Sequence, residues 1–278
     1  MGVDAVPYDC VPSDGVPVTT TAATAFLTAD ARAQATTDPA QDFHDPYAAR
    51  FAALCPPAIH GITRHTAGTA VVMARTVLVD RLLAELFAHG GVEACVNLGA
   101  GFDARPYRMD WPQHCRVIEI DSAPVLDLKD RLLPPADCTA PLERLRGDLR
   151  DAETMVDLLM SRTAGRRCVV LAEGLLTYLS HDAVGALAAA VARLGTGTSW
   201  ICDVLSVPSA ESLARASRIA GTPLEMRGLA DLEAFETAGW RCERIEPLPG
   251  TRWVAAPRGR VAPASRQLPD SVLRLSQY

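Results

Sequence analysis

Val96-Asn97-Leu98-Gly99-Ala100-Gly101-Phe102-Asp103 is the stretch on which the fold class turns. A short apolar run ends in Gly-x-Gly. That is the pattern of a buried strand whose backbone turns sharply at its carboxyl end and stays bare, so that a ligand can approach the main chain. Twenty-two residues beyond Gly99, Asp121 closes the next apolar run, Val117-Ile118-Glu119-Ile120. An acid at that tip can accept hydrogen bonds from both hydroxyls of a ribose. Either element alone is weak; the pair at this spacing predicts a nucleoside site at the carboxyl ends of the strands of a parallel sheet.

Working outward, strand-like runs at 94–98, 116–120, 142–146, 168–172 and 199–205 alternate with helical stretches, clearest at 151–162 and 181–194. Ser180 suits the N-cap of the latter and Gly195 its C′ position. Such alternation makes a parallel sheet covered on both faces. Runs 241–247 and 252–256 have only 248–251 between them, a link that joins only antiparallel neighbours. The expected fold is therefore α/β: a doubly wound, seven-stranded, mostly parallel sheet closed by a C-terminal hairpin. Upstream, helices are expected over 21–37, from Pro46 to about residue 54, and over 66–89, where Val71, Val72, Leu78, Val79, Leu82, Leu83 and Leu86 recur at helical spacing. The expected organisation is an extended arm over 1–20, a helical stretch over 21–92, a core over 93–257, and a tail over 258–278 without functional reading.

The 278 residues suffice for one large α/β domain with an N-terminal addition. Against 33 acidic residues stand 27 basic ones, net −6, so there is no electrostatic footprint for nucleic acid. No segment approaches the roughly 18 apolar residues of a membrane span. Residues 1–20 carry Asp4, Asp9 and Asp14 and no basic region ahead of an apolar core, so no secretory signal is read and the cytoplasm is expected. The eight cysteines never come within four residues of one another. They are expected to be buried thiols, with no metal site.

Gly99-Ala100-Gly101-Phe102-Asp103-Ala104 also satisfies a dinucleotide fingerprint. A dinucleotide, however, needs a proper helix right after the glycines, its N-terminus facing the pyrophosphate. Pro106, Trp111 and Pro112 occupy that stretch, and only a stub of helix fits before the next strand. A cofactor without phosphates has no such need. The expected ligand is S-adenosylmethionine; a nicotinamide-dependent oxidoreductase is the rival reading.

Three blocks, Leu98-Gly99-Ala100-Gly101-Phe102-Asp103-Ala104-Arg105, then Glu119-Ile120-Asp121-Ser122-Ala123-Pro124 with Lys129 following, then Ala172-Glu173-Gly174-Leu175-Leu176-Thr177-Tyr178-Leu179, occur in this order. With Phe43-His44-Asp45-Pro46-Tyr47-Ala48 and Ala74-Arg75-Thr76-Val77-Leu78-Val79-Asp80 upstream, the chain resembles the leucine carboxyl methyltransferase family over about residues 25–255. That family also holds bacterial O-methyltransferases of secondary metabolism. The resemblance implies that Arg75 pairs with the cofactor's methionine carboxylate, that Gly99, with Gly101 in the same turn, serves its amino group through a backbone carbonyl, and that Asp121 holds the ribose. It also implies that Asp148 and Leu149 contact the adenine, that Glu173 faces the ammonium end, and that Tyr178 lies near the methyl-transfer cavity.

Other readings stay open. Asp103 and Arg105 either brace the loop by pairing with each other or reach the ligand. Tyr178 and His181 are the catalytic candidates, against a packed aromatic and an ordinary helix-start histidine. His44, His60 and His65 lie in the N-terminal segment that, by the resemblance, covers the active site, and any of them could be a base. The resemblance also implies a helical cap over the active site at 21–92 and a lid over the substrate at 206–228; that lid is short here, which favours a small-molecule acceptor, phenol, alcohol or carboxylate, over a protein C-terminus. A monomer or homodimer is expected. A silent cofactor-binding partner is a further rival.

Overall fold

The computed structural model describes residues 20–55, 67–219, 223–249 and 268–277. Its sheet holds five parallel strands, β1 (Ala94–Leu98), β2 (Arg116–Asp121), β3 (Leu142–Arg146), β4 (Cys168–Ala172) and β5 (Ser199–Val204), then antiparallel β6 (Trp240–Pro247) and β7 (Ser271–Gln277). The spatial order is β3-β2-β1-β4-β5-β7-β6. Helices α1 (Thr20–Thr37), α2 (Ala48–Ala52) and α3 (Ala67–His89) precede the sheet. Between and after the strands come α4 (Arg105–Arg108), α5 (Ala123–Leu132), α6 (Ala152–Thr163), α7 (His181–Ala192), α8 (Val207–Ile219) and α9 (Glu233–Thr237). This is the expected doubly wound sheet.

β1 and β4 bury all five of their residues, which is why both read as unbroken apolar runs. Alternate residues serve opposite faces. Val96, Ile118, Val170 and Trp200 pack with residues of α6, α7 and α9. Cys95, Val169, Leu171 and Ile201 pack on Val79, Leu82 and Leu83 of α3. Trp200 is clasped edge-on between Phe235 and Trp240, each with ring centroids 5.4 Å away. The indole of Trp240 keeps its hydrogen bond by donating to the Ala188 carbonyl at 2.9 Å. Ser180 caps α7, its Oγ accepting from the Ala183 N–H at 3.2 Å, and Gly195 takes φ +104 just past its end.

The C-terminal hairpin needs correction. β6 lies where expected, but its partner is β7 at Ser271–Gln277, inside the stretch read as a tail. β7 inserts between β5 and β6, pairing Cys202 with Leu273 and Ile245 with the same Leu273 from the other side. Residues 252–256, given that role from sequence, lie outside the described residues, as do His60, His65, Cys10 and most of the expected N-terminal arm. The span 206–228 is also more ordered than a plain lid, since most of it is α8. The seven described cysteines are free thiols, and Cys95, Cys115, Cys168 and Cys202 are buried in or beside strands. No helix among the described residues is long and apolar enough to cross a membrane.

Candidate active site

Strand order reverses between β1 and β4, so a crevice opens at their carboxyl ends, the switch point of an open α/β sheet. The loop after β1 and the tip of β4 face each other across it. Gly99 and Gly101 adopt φ +68 and +45, where an L side chain is strained. A Cβ on Gly99 would also stand 3.2 Å from Leu175 Cδ1. The Gly99 and Ala100 N–H groups both donate to the Ile120 carbonyl, at 2.9 and 3.0 Å, tying the turn to β2. At the tip of β2, Asp121 Oδ2 accepts from the Gly101 N–H and Oδ1 from the Ser122 N–H, both at 2.7 Å. The carboxylate is thereby aimed while keeping lone pairs for two more donors.

Beneath the loop, Lys129 is fully buried. Its Nζ donates to Glu119 Oε1 at 2.8 Å and lies 3.4 Å from the Ala100 carbonyl. Above it sits α1. Phe102 stacks on Phe51 (centroids 4.4 Å apart) and meets Phe26 edge-on at 4.9 Å. Arg32 donates through Nη2 to the Phe102 carbonyl at 2.6 Å and through Nε to Asp45 at 2.9 Å. Ala25 is the nearest side chain to the Cα face of Gly101. The N-terminal helices thus rest directly on the glycine turn.

The opposite wall is ionic. Glu173, immediately after β4, accepts from Arg75 Nε at 3.0 Å and from Thr76 Oγ1 at 3.1 Å on one oxygen, while Arg105 Nη1 lies 2.7 Å from the other. Arg105 also binds Asp103 at 2.8 Å and Asp80 at 2.5 Å, and Arg108 reaches Asp80 at 2.8 Å. Arg105 therefore joins three elements: the loop, α3 and the tip of β4. Burial opposes ionisation of Glu173, but Arg105 and Arg75 outweigh it and hold the carboxyl at about 2. Asp103 falls below the usual carboxylate range for the same reason: burial is outweighed by Arg105 and Lys129. Tyr178 is pushed up to about 12 by burial, against the pull of Arg75 and a hydrogen bond with Thr24 of α1.

The structure brings Arg75, Gly99, Gly101, Asp103, Asp121, Glu173 and Tyr178 together around this crevice. Of the two alternatives for Asp103 and Arg105, they do pair, and Asp103 is held further by Asn97 at 2.9 Å. Asp148 is not gathered in. It is exposed and chelates Arg150 at 2.6 to 3.0 Å, while Leu149 packs at the margin of the α6/α7 core. His181 points elsewhere, lining a shallow cleft with Glu233, Ala234 and Ala238 of the α9 region. Asp203, near the end of β5, was missed. It is 3% exposed, accepting from Arg75 Nη1 at 3.1 Å and from the Gly174 N–H at 2.5 Å. The only sequence signal was a single carboxylate inside Trp200-Ile201-Cys202-Asp203-Val204.

These residues fit a phosphate-free nucleoside bearing an amino acid. The glycine turn leaves the backbone bare beside an oriented carboxylate, and Arg75 Nη2 has no hydrogen bond among the described residues. The helix after the turn, α4, is four residues long and offers no developed N-terminus to a pyrophosphate.

Similarity to known proteins points the same way. A Frankia alni protein provisionally named an S-adenosyl-L-methionine-dependent methyltransferase is 33% identical over 242 residues, 80% of this chain and 82% of its own length. In fold, the chain is similar to a DUF574 family protein from Streptomyces avermitilis, with TM-score 0.54 at 16% identity over 90% of this chain and 96% of that one. Magnesium protoporphyrin IX methyltransferase from Synechocystis, solved with bound SAH, gives TM-score 0.50 at 14% identity over 77% and 88%. The model of the family described as leucine carboxyl methyltransferase matches residues 25–192, more than half the chain. The chain therefore belongs to the leucine carboxyl methyltransferase family of S-adenosylmethionine-dependent methyltransferases.

Proposed function

We propose that the methyl group taken from S-adenosylmethionine goes to an oxygen of a small molecule, a phenol, alcohol or carboxylate, of the kind modified in secondary metabolism. The observation carrying this reading is the cover between β5 and α9. Among the described residues it consists of one helix, α8, and a strap over 223–229 that is neither helix nor strand. The strap is pinned by the Arg227 N–H donating to the Thr177 carbonyl at 2.7 Å and by Thr177 Oγ1 donating to the Arg227 carbonyl at 3.2 Å. At Gly228 it crosses the β5–α8 junction so closely that a Cβ would lie 2.4 Å from the Ser206 carbonyl carbon. A short, tightly tied cover suits a small acceptor, whereas a protein tail needs an open groove with partners for its backbone.

In this reading Asp121 accepts from the ribose hydroxyls, the bare backbone at Gly99 takes the amino group, and Arg75 meets the carboxylate. Asp148 and Leu149 are left for the adenine end, which requires Asp148 to release Arg150. The cofactor, when bound, supplies an activated sulfonium methyl, so the chain's own contribution is alignment and exclusion of water. Tyr178, neutral up to about 12, serves as a hydrogen-bonding hydroxyl that orients the acceptor rather than as a base. A carboxylate acceptor is already ionised at neutral pH and needs no proton removed; a phenol or alcohol does. Incubation with methyl-labelled cofactor and a panel of phenols, alcohols, carboxylic acids and peptides ending in a free carboxylate tests the proposal. Label is expected in small oxygen acceptors, and transfer confined to the peptides contradicts it.

A further inference from the structure

Asp203 sits at the far side of Arg75 from Glu173. The two carboxylates take different edges of the guanidinium: Glu173 binds Nε at 3.0 Å and Asp203 binds Nη1 at 3.1 Å, leaving Nη2 without a hydrogen bond among the described residues. The second oxygen of Asp203 accepts from the Gly174 N–H at 2.5 Å. Gly174 has φ +69, and a Cβ there would stand 3.2 Å from Arg75 Nη2 and 3.3 Å from Nη1. One carboxylate therefore fixes both the arginine head and the turn on which that head rests. Glu173 divides its charge between Arg75 and Arg105, whereas Asp203 gives its own to Arg75. A free arginine side chain loses rotamer freedom when a ligand binds it, a cost that fixing the head beforehand removes.

We propose that Asp203 is a positioning residue for cofactor capture. It holds Arg75 and the Gly174 turn so that the unoccupied Nη2 edge faces the carboxylate of the cofactor's amino-acid arm. The inference rests on Arg75 being the partner of that carboxylate. Asp203 then matters only for ligands that carry the arm.

Calorimetric titration of the full chain with S-adenosylhomocysteine and with 5′-methylthioadenosine, which lacks the arm, tests this. The variants are Asp203→Asn, Asp203→Ala, Arg75→Gln and the double variant Asp203→Ala/Arg75→Gln. Asp203→Ala is expected to weaken S-adenosylhomocysteine by tenfold or more and methylthioadenosine by less than twofold. Asp203→Asn, which keeps one of the two hydrogen bonds, is expected between wild type and Asp203→Ala, and it remains readable if the alanine variant does not fold. The double variant is expected to bind no worse than Arg75→Gln alone. Equal weakening of both probes, or S-adenosylhomocysteine binding to Asp203→Asn at least as tight as to wild type, overturns the inference. If Arg75→Gln itself fails to separate the probes, the assignment of Arg75 falls and takes the inference with it. Discrimination by Arg75→Gln with indifferent Asp203 variants overturns the inference alone.

Discussion

Glu173 is an uncommon carboxylate, with two arginines and a threonine hydroxyl on its two oxygens. Its folded value of about 2 lies below the roughly 4.3 of an unfolded glutamate. The stability it contributes is thus fully present above the unfolded value and lost as pH falls toward 2, a term on the order of 3 kcal/mol. Glu173→Gln leaves Arg75 and Arg105 short of charge, and is expected to lower stability at pH 7 by about 3 kcal/mol. It is also expected to flatten the acid limb of a urea-denaturation series between pH 5 and pH 3; an unaltered acid limb contradicts the assignment. Tyr178→Phe is expected to slow methyl transfer without moving any inflection of the pH–rate profile, because the native phenol does not ionise below about 12. Disappearance of an inflection between pH 7 and 10 would show Tyr178 acting as a base. The glycine turn, Asp121 and Glu173 were legible in sequence because each closes an apolar run. Asp203 was not, since its meaning depends on Arg75 lying beside it from another element. Asp148 was placed by resemblance and His181 by its position just past the Ser180 cap, and chain order alone does not tell which way a loop carboxylate or a helix-start imidazole points.

At the scale of elements, two contacts set the walls of the crevice. The first is α1 on the loop, through Arg32 to the Phe102 carbonyl and Phe26 to the Phe102 ring. Arg32→Ala leaves Asp45 buried with its nearest cation gone, apart from Arg108 at 4.0 Å, and is expected to cost about 3–5 kcal/mol of folding stability by denaturant titration. A change under 1 kcal/mol would mean that α1 is not anchored there. The second is the strap at Gly228. Gly228→Ala puts a methyl group into the Ser206–Val207 backbone, so the strap must lift. Transfer to the acceptor is expected to fall at least tenfold, while S-adenosylhomocysteine binding stays within about threefold; equal loss of both would place the strap at the cofactor instead. The five parallel strands and the α4 stub were legible because each strand has its own apolar run and the prolines at 106 and 112 leave no room for more helix. β7 was not. Short links between neighbouring strands are the common case, and 252–256 offered a nearer partner than 271–277. α8 escaped because its buried side is made of small residues, Ala210, Ala214 and Ser217, beside exposed Leu213 and Ile219.

At the scale of the whole molecule, the reversal of strand order between β1 and β4 turns a list of motifs into one site. The glycine turn stands on one side of the switch, Glu173 on the other, and α3 brings Arg75 across. That convergence was implied by alternating strands and helices, and it is why the nucleoside reading survives even though the C-terminal closure of the sheet differs from expectation. The test that bears most directly on it is calorimetric titration of the full chain and of Asp121→Ala with S-adenosylhomocysteine. Asp121 is aimed by two backbone N–H groups, and losing its charged hydrogen bonds to a ribose costs about 1.5–3 kcal/mol. The wild type is expected to bind one equivalent, and Asp121→Ala to bind 10 to 100 times more weakly at a temperature where both remain folded. No heat from the wild type, or equal affinity in the variant, contradicts the account.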